Sequence, residues 1–327
     1  MKLNRKISLV TSLVLFFTTP ILSTNSVENF FIDVSEGLDA ITLTSEEMTL
    51  IINEYKPDFI WWLGNESSAV EEYCVRFTTL QEFFGSDNII DSSDELNGIN
   101  YDLQTSVWDT EITELLNSVI VNLTLAGLAN NVIIQFLVSI NVVSTYLPGT
   151  NLIIQPFSEA KIEIVIKNWK FSDFAQGLAL KAEICERKKE SNISFNNGSV
   201  STNENAVRSI QIFSDDFVYN PEKAFFRWMT SAEYYNGTDL LFDLPSGNAY
   251  FNETTDGYND DYVNLWFSYQ NYADSLTVKH TATLGLYEDE PHPATLEASV
   301  FSLSFLISLI VVNIITFIIY RKKVRKI

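Results

Sequence analysis

The sequence predicts an all-β fold. The exterior reads as an antiparallel β-sandwich, one large or two consecutive, carried on one C-terminal transmembrane helix. Three observations predict it. Between about residue 30 and residue 287, short runs alternate apolar with polar residues, and no long 3.6-residue period occurs there. Ala298 to Tyr320 read ASVFSLSFLISLIVVNIITFIIY without a charge, and RKKVRKI follows. At the other end, Lys2, Arg5 and Lys6 precede an apolar run from Ile7 to Phe17, then Pro20 and the small residues Ser23 and Thr24.

The last of these has the order of a secretory signal, so 1–23 is expected to be a leader, cut near Ser23. The apolar run 298–320 rises about 34 Å as a helix, against a hydrocarbon core of about 30 Å. Five basic residues just past it, in 321–327, place the tail in the cytoplasm by the positive-inside rule. The expected location is therefore the plasma membrane, single-pass, with the N-terminus outside.

Charge agrees with that topology. All 42 acidic residues lie between Glu28 and Glu297. Of 21 basic residues, three sit in the leader and five in the tail, which leaves 13 outside and an exterior net charge of about −29. Such a field repels nucleic acid, so no nucleic-acid partner is expected. The expected partners are the membrane and either a surface polysaccharide or another surface protein.

In chain order, ENFFIDVSEGLDAITLT reads as one or two short strands, then MTLIINEY and DFIWWLG as two more, separated by Lys56-Pro57. AVEEYCVRFTTLQEFF alternates over its first half. GSDNIIDSSDELNG is an acidic loop, and INYDLQTSVWD is strand-like again. From Leu115 to Ser158 no residue is charged. Its apolar core is about a dozen residues, is broken by Gln135, Ser139 and Asn141, and has no basic flank, so a membrane span is disfavoured. A hairpin fits better. Val119, Val121, Leu123 and Leu125 alternate with polar residues, GLANN turns, and Val132, Ile134, Phe136, Val138 and Ile140 alternate again.

KIEIVIKNWKF and GLALKAEICE read as the next strand pair. Residues 24–187 thus form a first β region, and 188–206, polar and poor in aliphatics, a loop or linker. VRSIQIF, KAFFRWM, AEYY, DLLFDL, NAYFNE, DYVNLWFSYQ and SLTVKHTATLGLYE fill a second β region, 207–287, either separate or continuous with the first. Residues 288–297, with two prolines, make a short stalk.

Two cysteines, Cys74 and Cys185, occur. In an exterior protein a pair favours a disulfide. Each alternates out of phase with its strand's apolar residues, so a bridge across adjacent strands on an outer face is expected. Free thiols or a bridge between chains are the alternatives. Six Asn-x-Ser/Thr acceptors occur, at Asn65, Asn122, Asn192, Asn197, Asn236 and Asn252, all in the exterior.

Catalytic signatures are sparse. His280 shares the parity of Val278, Ala282 and Leu284, the pattern of a hydrogen-bonded core histidine. No nucleophile has an identifiable base, and no phosphate loop or zinc signature occurs. No catalytic residue is assigned. A glycosidase needs two carboxylates, and nothing selects a pair among the many present. Asp87, Asp91, Asp94 and Glu95 crowd the first acidic loop and make it the candidate Ca²⁺ site, without EF-hand spacing. Trp169 shares the parity of Glu163 and Lys167, which points it outward as a candidate ligand-stacking residue.

KIEIVIKNWKFSDFAQGLALKAEI and the later LWFSYQ and HTATLGL resemble segments of archaeal-type single-pass surface proteins, over about a third of the chain. That resemblance implies a signal, an all-β exterior and one C-terminal span. It also implies an acidic, calcium-like loop between the early strands, which here lacks the glycine hinge. The function expected from all this is binding, adhesion or envelope structure at the cell surface. A carbohydrate-active ectoenzyme and an exterior subunit of a larger membrane complex are the alternatives.

Overall fold

The computed structural model describes residues 32–64, 72–87, 90–91, 93–147, 150, 152–186, 207–213, 222–245, 250–252 and 262–286. The expected leader, the 188–206 segment, the stalk, the span 298–320 and the tail lie outside these residues. No helix among the described residues is long and apolar enough to cross a membrane.

Among the described residues twenty strands follow one another: β1 Asp33–Glu36, β2 Ala40–Thr44, β3 Met48–Asn53, β4 Asp58–Leu63, β5 Tyr73–Phe84, β6 Glu95–Asp102, β7 Asp109–Leu115, β8 Ser118–Leu125, β9 Ile133–Asn141, β10 Thr145–Tyr146, β11 Ile153–Ile154, β12 Glu159–Lys167, β13 Gly177–Glu186, β14 Val207–Phe213, β15 Glu222–Met229, β16 Ser231–Asn236, β17 Asp239–Pro245, β18 Tyr250–Asn252, β19 Tyr262–Gln270 and β20 Thr277–Leu286. Sheet one runs β1-β2-β3-β4-β5-β13-β19-β18, with β6 beside the far half of β5. Sheet two runs β14-β15-β20-β12-β9-β8-β7, with the β16–β17 hairpin beside the near half of β20. Each of these pairings is antiparallel. The β10–β11 pair forms a small separate strap.

Alternation explains the layering. Period-two apolar faces bury against each other when two sheets stack. Sheet one contributes Leu50, Phe59, Trp61, Val75, Leu180 and Phe267; sheet two contributes Val121, Phe136, Ile164, Phe226 and Leu284, all in one core cluster. Aromatic rings interlock across the gap, Phe77 with Phe136 at 4.7 Å and Phe226 with Phe267 at 6.5 Å between centroids. The Trp61 indole N–H donates to the Gly285 carbonyl, 3.1 Å away in the other sheet. Strands from both sides of the 188–206 segment share both sheets and this cluster. The uncharged 115–158 stretch folds as the β8–β9 hairpin, Val121 opposite Val138 and Leu123 opposite Phe136.

Three strand-level expectations need correction. Glu95 to Gly98 belong to β6, so the acidic loop is shorter than its composition suggests. β12 and β13 do not pair with each other. β12 sits in sheet two between β20 and β9, and β13 sits in sheet one between β5 and β19. Both strands have a core-facing apolar side, and such a pattern specifies the face, not the neighbour. The segment between them therefore crosses from one sheet to the other. Trp169 lies in that crossing. Asn168 takes a positive φ of 59°, a conformation Asn tolerates, and this breaks the parity that β12 would otherwise have carried on. Trp169 turns inward and is fully buried, so it presents no stacking surface.

The crossing is held by one buried carboxylate. β5 carries an extra residue at Thr78 relative to β13, which keeps Phe77 and Leu80 both in the core and turns Glu82 inward. Glu82 is fully buried. Its Oε1 accepts from the Trp169 indole N–H at 3.2 Å and the Ser172 backbone N–H at 2.9 Å. Its Oε2 accepts from the Ile99 N–H at 3.0 Å. Gly98 makes room, since a Cβ there would run into the Glu82 carboxylate. At the opposite end of the same strand pair, Cys74 faces Cys185 in register and is bonded to it, 5.0 Å between Cα atoms. The bridge joins adjacent strands, on the face away from Val75 and Ile184, as the alternation predicts.

Glu82→Leu leaves three donors without their acceptor, the buried Trp169 indole N–H and the half-buried Ser172 and Ile99 N–H groups. It is expected to lower unfolding free energy by about 3 kcal/mol or more, with a smaller loss for Glu82→Gln, which keeps one carbonyl oxygen. Urea titration of both variants checks this. Equal losses would show that shape, not acceptance, matters at this position.

Candidate functional site

The acidic loop uses its own carboxylates to shape itself. Asp91 Oδ1 accepts from the Ser93 backbone N–H and hydroxyl, at 2.7 and 2.6 Å, which hold its carboxyl below the usual range. Asp94 Oδ2 accepts from the Asp91 N–H at 2.7 Å. Burial lifts Asp94 above the usual range, and the charges of Asp91 and Asp87 add to that. Glu95 is exposed at the start of β6. Among the described residues, no group of three or more His, Cys, Asp or Glu side chains is placed to hold a metal ion. Calcium at this loop is a reading of the sequence alone.

The other singled-out residues fall in separate places. Asn236 is exposed at the tip of the β16–β17 hairpin, beside Gly237 at a φ of 62°. Asn122 is half-buried on the outer face of β8, and its Oδ1 accepts from the Thr124 hydroxyl at 3.3 Å. Asn252 ends β18. Asn65, Asn192 and Asn197 lie outside the described residues.

His280 is a core histidine. Its Nε2 lies 2.8 Å from the Met229 carbonyl, which can only accept, so Nε2 carries the proton. Nδ1 then accepts from the Tyr269 hydroxyl at 3.1 Å. Burial lowers its pKa to about 4, only partly offset by the Met229 carbonyl.

A cluster of buried polar groups with unpaired atoms carries no signature in the sequence. It lies on the outer face of sheet two. Ser209 on β14 stands opposite Arg227 on β15, and Arg227 stands opposite Thr283 on β20. Glu159 on β12 stands opposite Gly285, one pair along. Gly285 is a notch: a Cβ there would strike the Phe225 ring and the Glu159 side chain. The Arg227 guanidinium lies 3.6 Å above the Phe225 ring and 3.7 Å from Glu159 Oε1. The strap covers this face from one side, Leu147 and Ile154 packing on Val207 and Met229. The one sequence signal is Arg227 itself, a cation set among the aromatic residues Phe225, Phe226 and Trp228.

Glu159 and Glu163 share a strand and a face, yet titrate in opposite directions. Burial raises Glu159 to about 7, with Arg227 and the Gln155 backbone N–H opposing it only in part. Burial also pushes Glu163 upward. There Lys161 at 2.9 Å and Lys279 at 3.5 Å outweigh it, and the net shift is downward. What separates them is the number and distance of their cations.

No protein-family model matches the chain, and no curated protein matches it.

Glu159 and His280 set opposing pH dependences. Glu159 binds its proton more tightly folded than unfolded, so its contribution is full below about 4.5 and is lost as pH rises through about 7. His280 binds its proton less tightly folded, so its contribution is present above about 6.5 and is lost as pH falls through about 4. Between about 4.5 and 6.5 the two slopes largely cancel. Glu159→Gln is expected to give stability that rises with pH across that window, and His280→Gln stability that falls. Each slope is bounded by about 1.4 kcal/mol per pH unit. Denaturant midpoints from pH 4 to pH 7.5 read both, and a shared slope in the two variants contradicts the assignment.

Proposed function

We propose that the chain is a membrane-anchored cell-surface protein whose β-sandwich exterior serves binding or adhesion. The observation that carries this reading is the Cys74–Cys185 disulfide, formed by two cysteines in register on adjacent strands. A disulfide built into a sheet belongs to an oxidising compartment. The leader-like 1–23, the apolar 298–320 with its basic end and the strongly acidic exterior support the same side of the membrane. The disulfide closes a separation of 111 residues, so on the chain-entropy account its loss costs about 2–5 kcal/mol.

A second reading, an exterior subunit of a larger membrane complex, is favoured by β17. That strand bonds only to β16 among the described strands, and its Leu240, Leu241 and Phe242 are each 41–50 % exposed. An exposed apolar edge strand is a pairing surface that monomers usually blunt. The ectoenzyme reading gains no such support. Asp58, Glu82 and Glu159, the buried carboxyls among the described residues, occupy separate contacts: Asp58 with Lys56 and Gln104, Glu82 with the crossing, Glu159 with Arg227.

Trypsin added to intact cells tests the location. Cleavage within Arg187-Lys188-Lys189, leaving a membrane-bound fragment that retains a C-terminal tag, is the expected result. Protection until the cells are permeabilised contradicts the reading. Binding is then read on a glycan and surface-protein array with and without Ca²⁺. An anchored exterior that captures nothing there, yet copurifies in a stoichiometric complex sensitive to Leu241→Lys, selects the second reading instead.

A further inference from the structure

Four side chains on the outer face of sheet two have hydrogen-bonding capacity that the protein leaves unmet. Ser209 Oγ, Thr283 Oγ1 and Glu159 Oε2 are buried and make no hydrogen bond among the described residues. All three residues are more than nine-tenths buried. Arg227, with its side chain 15 % exposed, has Glu159 Oε1 at 3.7 Å and the Phe225 ring as its partners among the described residues, and neither is a close hydrogen bond. Buried polar groups are almost always paired, because each unpaired one costs about 1–3 kcal/mol. Other unpaired atoms occur elsewhere in the sandwich, but these four side chains stand together on neighbouring strands, beside Gly285, over which Phe225 and Glu159 pack.

The chemistry is donor-rich. A guanidinium brings five N–H donors in a planar fork, and two hydroxyls bring two more. Glu159 is the one acidic acceptor, and its Oε1 faces Arg227. A cation is disfavoured by the fixed guanidinium. An apolar ligand leaves the donors unpaired. A planar or tetrahedral oxyanion accepts from the fork, with the hydroxyls on the strands to either side of Arg227 as further donors. We propose that Arg227, Ser209, Thr283 and Glu159 form a binding site for a small oxyanion, carboxylate or phosphate, on the outer face of sheet two. This goes beyond the surface-protein reading and does not depend on it.

The exterior's acidic field opposes anions at long range, so the site works by close contact and binds modestly. Glu159 sets a pH dependence. Its charged neighbours are Arg227 on β15, Lys161 and Glu163 on β12 and Lys279 on β20, and the strap residues 142–158 carry no charge. Lys161 and Lys279 are both spent on Glu163. A protonated Glu159 adds a donor and removes a repulsive charge, so binding is tighter at pH 5.5 than at pH 8.

The test is the melting temperature of the full chain in detergent. Sodium acetate, sodium phosphate and sodium chloride are compared at matched ionic strength, with glucose as a neutral hydroxylated probe. Acetate or phosphate is expected to raise the melting temperature above chloride, saturably and more at pH 5.5 than at pH 8. The two anions separate a carboxylate site from a phosphate site. Arg227→Gln abolishes the shift, and Arg227→Lys, which loses the fork but keeps the charge, weakens the apparent affinity by about tenfold. Ser209→Ala with Thr283→Val removes the unpaired hydroxyls, so this variant melts no lower than the parent without anion and loses most of the anion shift. No anion-specific shift, a shift that survives Arg227→Gln, or a response to glucose alone overturns the proposal.

Discussion

Everything in this sandwich depends on how β13 is seated. The chain leaves sheet two at Lys167, passes from one sheet to the other along a segment that buries Trp169 and Ala175, and must enter sheet one between β5 and β19. The crossing segment carries the Trp169 indole N–H into the apolar interior, where it needs an acceptor, and places the half-buried Ser172 N–H beside it. Glu82 supplies it, accepting from Trp169, Ser172 and, on the other side, Ile99. The disulfide fixes the opposite end of the same strand pair. β13 is thus fastened at both ends beside β5, and β19 can add to its free edge. Without that seat, the strands after residue 207 have no template in sheet one.

The two sheets carry their polar residues differently. In sheet one, Glu82 is turned inward by a one-residue bulge and accepts from three N–H groups, and Asp58 is paired with Lys56 and Gln104. In sheet two, the acids and bases stand on the outer face in cross-strand rows. There Glu163 is matched by two lysines, while Glu159 has one distant guanidinium, the Gln155 backbone N–H and a strap overhead. Burial without matched partners is the condition under which a carboxyl holds its proton toward neutral pH. The same condition leaves hydroxyls and guanidinium donors to be met from outside the chain.

Alternation in the sequence was enough to find the strands, the β8–β9 hairpin, the inward His280 and the facing cysteines. These follow from period-two patterning, which is a property of each strand by itself. Partnering is not. KIEIVIK and GLALKAEI look like a hairpin because they are consecutive and alike, yet the nine residues between them bridge two sheets. Trp169 was misplaced by one residue's conformation. Parity carries on only while the backbone stays extended, and Asn168 does not. Asn-Trp directly after a strand was the legible warning. The Arg227 cluster was not legible, because Ser209, Arg227, Thr283 and Glu159 come from four strands spread over more than a hundred residues. Only the register brings them together.

Native-state hydrogen exchange tests the central claim, that one cooperative body is built from strands on both sides of the 188–206 segment. Core amides of β3, β5 and β13 are expected to open with the same free energy as those of β15, β19 and β20, and to lose protection together as denaturant is added. Two separate opening free energies, one for residues before 187 and a lower one for residues after 207, would contradict it.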